Sequence, residues 1–580
     1  ESAVKALVDS GSLPAEVLEA PLEVSDTKTP EHGDFACNFA LVATKKAGMP
    51  PRAIGEMLRG QLLSNSEIFR EIDLAGPGFL NLKLKPEAIS QYVPRVLAAG
   101  DDLGKTDLGH GEKWNVEFVS VNPNGPITVG SGRGAAFGDA LCRVLDAAGY
   151  CVGREYYIND GLNSQQMRLF AQSVRHYYRE ALGLPTEFPE KGYRGEYVAD
   201  VSRALLDRAG QSHGDEPTDW FQKASQDLMI DRQRGDLEAA RVVFDTWFSE
   251  QSMHDSGHVA QQIDRLKEKG EAYYGVRPEG VETDADEQEE VSVGKEALWL
   301  RSSSYGDDKD RVLVRSDGRP AYIAADVAYL QNKFDRGFQK LKLILGPDHH
   351  GYIGRMYAAC RSLGHTAGHE GEFEIIIYQV VRFVKDGKPA PMRKRDGNIY
   401  ELRDLISELG AASAPDAPLA EQMRIGADVT RFFYLMRSHE THMDFDIDLA
   451  TKQSDENPVF YAQYAHARIC SVLSKAAEAG ITPGADNYSL LTHERELGLI
   501  KKILDLPFEV GRCVADYGVH RLTTYATELA RTYHHFYDQC RVIQPEEPEL
   551  TKARVSLCEA ARIGLAATFS LLGISAPERM

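Results

Sequence analysis

The stretch from Val116 to Asp139 gathers the residues best suited to chemistry in this chain of 580 residues. An apolar strand ends at Glu117 and Phe118, and Asn122, Pro123, Gly125 and Pro126 then break it. A helix follows, with apolar positions Phe137, Leu141, Val144 and Leu145. Thr128, Gly130, Ser131 and Gly132 fall at the joint. A glycine-rich turn from strand to helix aims free backbone N–H groups and the positive end of a helix at one point, where a phosphate can sit. Spacing alone fits a plain tight turn of an α/β sheet equally well. Gly130, Gly132 and Gly134 read GxGxG, and no acidic residue closes a second strand about 20 residues on, so a dinucleotide fingerprint is set aside.

Three other groups stand out. Tyr322 and Asp326 are four apart, on one face of an expected helix. With Glu117 they are candidate acceptors for a cationic group. Asp326 by itself reads more readily as a surface or capping carboxylate. Asp348, His349 and His350 follow a strand; no third or fourth ligand stands at a matching spacing, so no metal site is expected. Met392, Arg393, Lys394 and Arg395 make a basic run between Gly387 and Gly397, which alone reads as solvated surface.

Several domains must position these groups, because one hydrophobic core stops growing near roughly 250–300 residues. Residues 1–107 read as an N-terminal α+β module, with strands alternating around the Gly-Pro-Gly turn of Ile72–Leu84. Residues 108–405 have the rhythm of a parallel sheet with crossover helices. Its expected strands include Trp114–Ser120, Val312–Arg315, Leu341–Leu345 and Phe373–Ile377, and a polar helical insertion covers about 160–270. Residues 406–450 connect to an all-α bundle at 451–580, with helical spacing in Tyr461–Leu473, Leu497–Val510 and Val555–Leu572. The acidic run Glu279–Glu290 reads as a solvated loop.

Composition, 43% apolar and 26% charged, excludes a disordered or fibrous chain. No run of about 18 uncharged apolar residues suggests a membrane span. Glu1–Ser12 lacks the basic-then-apolar layout of a secretory signal, and the eight cysteines form no CxxC pair. A reduced, cytoplasmic protein is expected. The net charge of −21 argues, as an average, against a nucleic-acid partner. Residues 451–580, however, carry 14 basic and 16 acidic side chains and can present a basic face.

The Val116–Asp139 stretch resembles the signature region of class I aminoacyl-tRNA synthetases, specifically the arginyl-tRNA synthetase family of bacterial type. Glu117, Asn122, Pro123, Gly125, Pro126, Gly130, Arg133, Gly134, Gly138 and Asp139 carry the likeness. The family's HIGH tetrad reads Thr-Val-Gly-Ser here, with Thr128 and Ser131 where the two histidines stand. Met392, Lys394 and Arg395 match the second signature loop, KMSKR, while Pro391 and Arg393 depart from it. His32–Ala36 and Gly76–Asn81 resemble the family's N-terminal module; Asn457–Arg468, His535–Arg541 and Leu571–Met580 resemble its anticodon-binding bundle.

The resemblance implies an α/β, Rossmann-like catalytic domain with insertions, flanked by the two other modules. It implies arginine binding by Glu117, Asn122, Tyr322 and Asp326, with Thr128, Ser131, Lys394 and Arg395 acting on the phosphates. ATP contacts fall to Gly130, Gly132, Asp348, His349, Met392, Arg393 and Lys394, with Mg²⁺ accompanying the ATP. tRNA(Arg) contacts fall to Phe35, Asn81, Tyr461, Tyr464, Arg468, Tyr537 and Arg541, with Phe536 as a further ring, and at least half of these rings are expected in the bundle core. A monomer is expected. The activity implied is arginine–tRNA ligase. The second reading is a paralogue that binds tRNA or arginine without efficient adenylation, because hydroxyls at 128 and 131 cannot become cationic. A third takes those two residues as engineered replacements.

Overall fold

The computed structural model describes residues 1–27, 29, 32–65, 67–161, 164–276, 294–390 and 399–580. The acidic run Glu279–Glu290 and the basic loop residues Met392, Arg393, Lys394 and Arg395 lie outside them. In the N-terminal module, β1 (Val24–Asp26), β2 (Phe35–Cys37), β3 (Phe69–Ala75) and β4 (Phe79–Leu84) form an antiparallel sheet in the order β1-β2-β4-β3. The expected hairpin turns on Gly76 and Gly78, both at positive φ. Ile72, Leu80 and Leu82 alternate into a core under helix Pro51–Asn65.

The central sheet is wholly parallel, as near-continuous apolar strands with crossover helices require. β5 (Lys113–Glu117), β6 (Cys151–Ile158) and β7 (Thr246–Ser249) build out on one side. The antiparallel sheet β8 (Ala272–Val276), β9 (Glu296–Leu300) and β10 (Arg311–Val314) follows. The chain then returns to the other side of β5 with β11 (Lys340–Leu345) and β12 (Phe373–Ile377), giving the order β12-β11-β5-β6-β7. Two expectations are corrected. Val312–Arg315 falls in β10, outside the parallel sheet, because only a short helical turn, Ser302–Tyr305, separates β9 from β10 and a parallel pair needs a long crossover. The insertion ends before β7, a four-residue edge strand too short to show an alternating pattern. Its helices Gln165–Ala181, Glu196–Ala209 and Thr218–Ala239 enclose their own core of Phe170, Tyr178, Val198 and Phe221.

Helices Leu402–Ser413 and Leu419–Leu435 form the stem. They cross where Gly410 and Gly426 meet the partner's backbone: an added Cβ would lie 1.9 Å from Gln422 O or Ile406 O. β13 (Val381–Lys385) joins β14 (Lys388–Pro389) and β15 (Met443–Asp446) beside them. The bundle comprises Pro458–Glu478, Glu494–Leu504, Leu506–Asp516, His520–Gln539 and Pro548–Leu572. The helix expected over Leu497–Val510 is two helices, because Pro507 sits in a first turn and cannot continue the preceding one. Helix Pro548–Leu572 is long and apolar enough to cross a membrane, a length the composition reading passed over, and most of it is buried in the bundle. One apolar core runs unbroken from Val116 through Leu405 and Phe432 to Leu529 and Leu557, so sheet, stem and bundle pack as one body.

Candidate active site

The carboxyl ends of β5 and β11 flank the point where strand order reverses, which is where open α/β sheets bind ligands. The chain leaves β5 under strain. Val119 and Ser120 hold φ of 69° and 40°, and a β-branched residue at positive φ is a true outlier of the kind stored at functional sites. Ser120 Oγ steadies the bend by accepting from Tyr157 N at 3.0 Å. Asn122 follows in a net of amides. Its Oδ1 accepts from Asn159 Nδ2 at 3.0 Å, its Nδ2 donates to Gln166 Oε1 at 2.9 Å, and Gln233 Nε2 reaches Asn122 O at 3.2 Å and Gly125 O at 2.7 Å.

Thr128 caps helix Val129–Ala147. Its Oγ1 accepts from Ser131 N at 3.3 Å and lies 3.3 Å from Ser131 Oγ. The two hydroxyls at the tetrad's histidine positions are therefore engaged with each other and with the helix end. Residues 400–402 strap this turn from behind: Val129 N donates to Tyr400 O at 3.1 Å and Leu402 N to Ile127 O at 2.8 Å. Arg232 of the insertion holds the intervening Glu401 with Nη2, 2.8 Å from both carboxylate oxygens. Gly130 is partly accessible at the turn. Gly132, expected at ATP, is buried instead against Leu402 and Tyr434, where a Cβ would come within 2.8 Å and 2.9 Å; its small size serves packing. Gly134 and Gly138 likewise admit the rings of Tyr378 and Phe118. Asp348 and His349 are exposed in the short helix Pro347–Tyr352, just past β11 and on the same crevice.

Carboxylates gather near the carboxyl end of β5. Asp326 accepts from Tyr352 Oη at 2.5 Å. Burial, reinforced by Glu250 and Glu117, pushes its carboxyl up to about 7, against the pull of Tyr352 and Arg355. Tyr322 stands at the start of the same helix, exposed, with the Arg315 guanidinium 5.9 Å from its ring. Glu117 is buried and does not stand open: Oε2 lies 2.5 Å from Lys333 Nζ. A resident cation therefore already occupies one oxygen of this candidate acceptor. Glu250, Lys333, Tyr352 and Asn159 are members of the site that sequence reasoning missed. Lys333 lies seven residues past Asp326, two turns along one helix face, a spacing that could have pointed to it. The Glu250 carboxylate holds the neighbouring His254 above its ordinary range. A cleft lined by Asn159, Gly161, Glu250, His254, Arg315 and Tyr322 opens the pocket to solvent. Among the described residues, no group of three or more His, Cys, Asp or Glu is placed to hold a metal ion.

The residues assigned to RNA divide by exposure. In the bundle, Tyr464 is exposed and near-parallel to the rings of Phe460 and His534. Tyr461 and Tyr537 are partly buried, with Arg468 4.3 Å above the Tyr537 ring. Arg541 is exposed, 3.5 Å from Glu546. Phe536 is core, fully buried between bundle helices. In the N-terminal sheet Phe35 packs partly against the module core. Asn81, opposite Ala36 and Asp73, is buried, so little of its amide faces outward.

A five-stranded parallel sheet, a capped helix after the strained strand end, a helical insertion and an appended α bundle define a class I aminoacyl-tRNA synthetase. The model for "tRNA synthetases class I (R), catalytic domain" matches residues 92–416, "Arginyl tRNA synthetase N terminal domain" matches 1–84 and "DALR anticodon binding domain" matches 462–580. The chain belongs to the arginyl-tRNA synthetase family. It is 42% identical to the arginine–tRNA ligase of Bacillus velezensis over 579 residues, covering 99% of this chain and 96% of that one. It is 41% identical to that of a Geobacter species over 577 residues, covering 98% and 96%. An arginyl-tRNA synthetase structure from Campylobacter jejuni superposes with a TM-score of 0.72 at 31% identity, covering 86% of this chain and 100% of the other. That from Thermus thermophilus, 22% identical, shares the fold, with a TM-score of 0.70 and 100% and 99% covered.

Proposed function

We propose that the chain is an arginine–tRNA ligase. The carboxylate of L-arginine attacks the α-phosphorus of ATP, giving arginyl-adenylate and pyrophosphate, and a hydroxyl of the terminal adenosine of tRNA(Arg) then takes the arginyl group. The observation that carries this reading is the convergence of Glu117, Glu250 and Asp326 in one space, where Asn159, lining the same cleft as Glu250, bonds Asn122 on the chain that leads to the capped helix Val129–Ala147. A cationic side chain and an anionic phosphate are thereby served within one crevice.

Asp326, Tyr322 and Glu117 receive the guanidinium, and Asn122, fixed by its amide net, orients the backbone end of the amino acid. Thr128, Ser131, Gly130 and the helix end face the phosphates, and Asp348 and His349 lie on the adenosine side. Met392, Arg393, Lys394 and Arg395 take the phosphate-clamping role that the family likeness assigns them, and Mg²⁺ arrives with the ATP. The enzyme's work is positioning and electrostatics, with no covalent intermediate. Tyr464, Arg468, Tyr537 and Arg541 meet tRNA(Arg) from the bundle, and Phe35 and Asn81 from the N-terminal module. The protein acts in the cytoplasm as a monomer. Full-length likeness to arginine–tRNA ligases favours this reading over a repurposed paralogue. The test is arginine-dependent exchange between ATP and pyrophosphate, with and without tRNA(Arg). Exchange is expected with tRNA; its absence while tRNA still binds overturns the reading.

A further inference from the structure

Lys333 lies in helix Tyr322–Asp335, two turns beyond Asp326, and its Nζ is 2.5 Å from Glu117 Oε2 at the end of β5. Both side chains are almost inaccessible, at 3% and 8% exposure. On its other side the ammonium sits 4.2 Å from the Tyr329 ring centroid. Tyr329 donates to Glu155 Oε1 at 2.5 Å. Arg336 grips both oxygens of Glu155, at 2.7 Å and 2.8 Å, and Asn115 Nδ2 adds a bond of 2.9 Å. The ammonium is therefore held between a carboxylate and a ring that is itself anchored.

We infer that Lys333 is a positioning residue for substrate arginine: it pins one oxygen of Glu117 and leaves the other, Oε1, to face the guanidinium. The inference rests on the arginine-ligase reading above. A guanidinium is a rigid fork, so its selectivity depends on carboxylates that do not rotate, and a carboxylate with one oxygen pinned presents one orientation. Glu117, Glu250 and Asp326 also crowd a space of low dielectric, where like charges repel strongly, and a fixed ammonium offsets one of them before any substrate arrives. Lys333 already occupies the place where a compact ammonium would pair best with Glu117. A lysine substrate therefore finds that position taken, whereas a guanidinium spans the remaining oxygen and Asp326.

The test is the full-length enzyme in tRNA-supported pyrophosphate exchange, with arginine and ATP each varied. Lys333→Met is expected to raise KM for arginine roughly tenfold or more, with kcat and KM for ATP within about threefold. Lys333→Arg, which keeps the charge, is expected to restore most of the loss. Lys333→Gln, which keeps one donor without the charge, falls between them and serves if the methionine variant does not fold. Thermal shift by arginine alone gives the same ranking without catalysis. An unchanged KM in a folded Met or Gln variant overturns the inference, as does a fall in kcat at constant KM, or an Arg variant no better than Met. Wild-type exchange tests the arginine-ligase reading, and the ratio of variant to wild type tests this one, so the two failures are distinct.

Discussion

Arg431 of the stem points its Nη2 at Asp139 of helix Val129–Ala147, 2.5 Å from Oδ2, with both side chains almost fully buried. The same guanidinium donates from Nε to Leu572 O and from Nη1 to Ala240 O, each at 3.0 Å. One side chain thus ties together the helix that opens at Thr128, the last bundle helix and the end of the insertion.

Replacing Asp139 by Asn leaves Arg431 buried without its counter-charge. Removing one partner of a buried pair typically costs about 3–5 kcal/mol. The variant is expected to unfold at clearly lower urea than wild type, followed by circular dichroism. Unchanged unfolding would show that the pair adds nothing.

Asp326 sets a pH dependence. Its carboxyl is pushed up to about 7, so below that pH it carries a proton and offers a guanidinium no charge. KM for arginine is expected to rise about tenfold per unit as pH falls below about 7. For folding the sign is opposite. A carboxyl raised in the folded state binds its proton more tightly there than in the unfolded chain, so its stabilising contribution is lost as pH rises from 3.8 to about 7. Asp326→Asn raises KM at neutral pH and flattens both profiles, read from exchange kinetics and from melting across pH.

Thr128 caps the helix whose end is proposed to face the phosphates. Thr128→Ala removes the cap on Ser131 N and is expected to cost about 1 kcal/mol, read from the shift in urea midpoint. Histidines at both 128 and 131 add donors aimed at developing phosphate charge. The double variant is expected to exchange pyrophosphate roughly tenfold faster or more, despite the weaker cap. No gain means that the hydroxyls do not limit the chemistry.

The stem tolerates no side chain at its crossing. Gly426→Ala places a methyl group 1.9 Å from Ile406 O, a backbone atom that cannot step aside. A loss of about 3 kcal/mol or more is expected, with the drop in melting temperature as the measurement.

Two bundle rings separate binding from packing. Tyr464→Ala is expected to weaken tRNA binding by about 1–3 kcal/mol, read by filter binding, with KM for arginine and ATP unchanged. Phe536→Ala, which empties core volume, is expected to lower stability by about 3–5 kcal/mol, read by denaturation.

The amino-acid order alone determined the sheet-and-crossover domain, the Gly76–Gly78 hairpin and the helices of the bundle, because apolar periodicity and turn residues act over short range. It also located the Thr128 turn and put Tyr322 and Asp326 on one helix, because that spacing is local. It could not place Val312–Arg315 or end the insertion at β7, because strand partners are chosen by long-range pairing that short segments do not encode. Nor could it reveal that Gly132 packs on Tyr434 or that Phe536 is core, since both depend on which helix lies opposite. The largest change came at Glu117. Its type and position marked it as an acceptor, but only the packing of helix Tyr322–Asp335 over β5 brought Lys333 to it across 216 residues. In a buried space a carboxylate's partner is set by what the fold places within a few ångströms, and sequence neighbours carry no record of that.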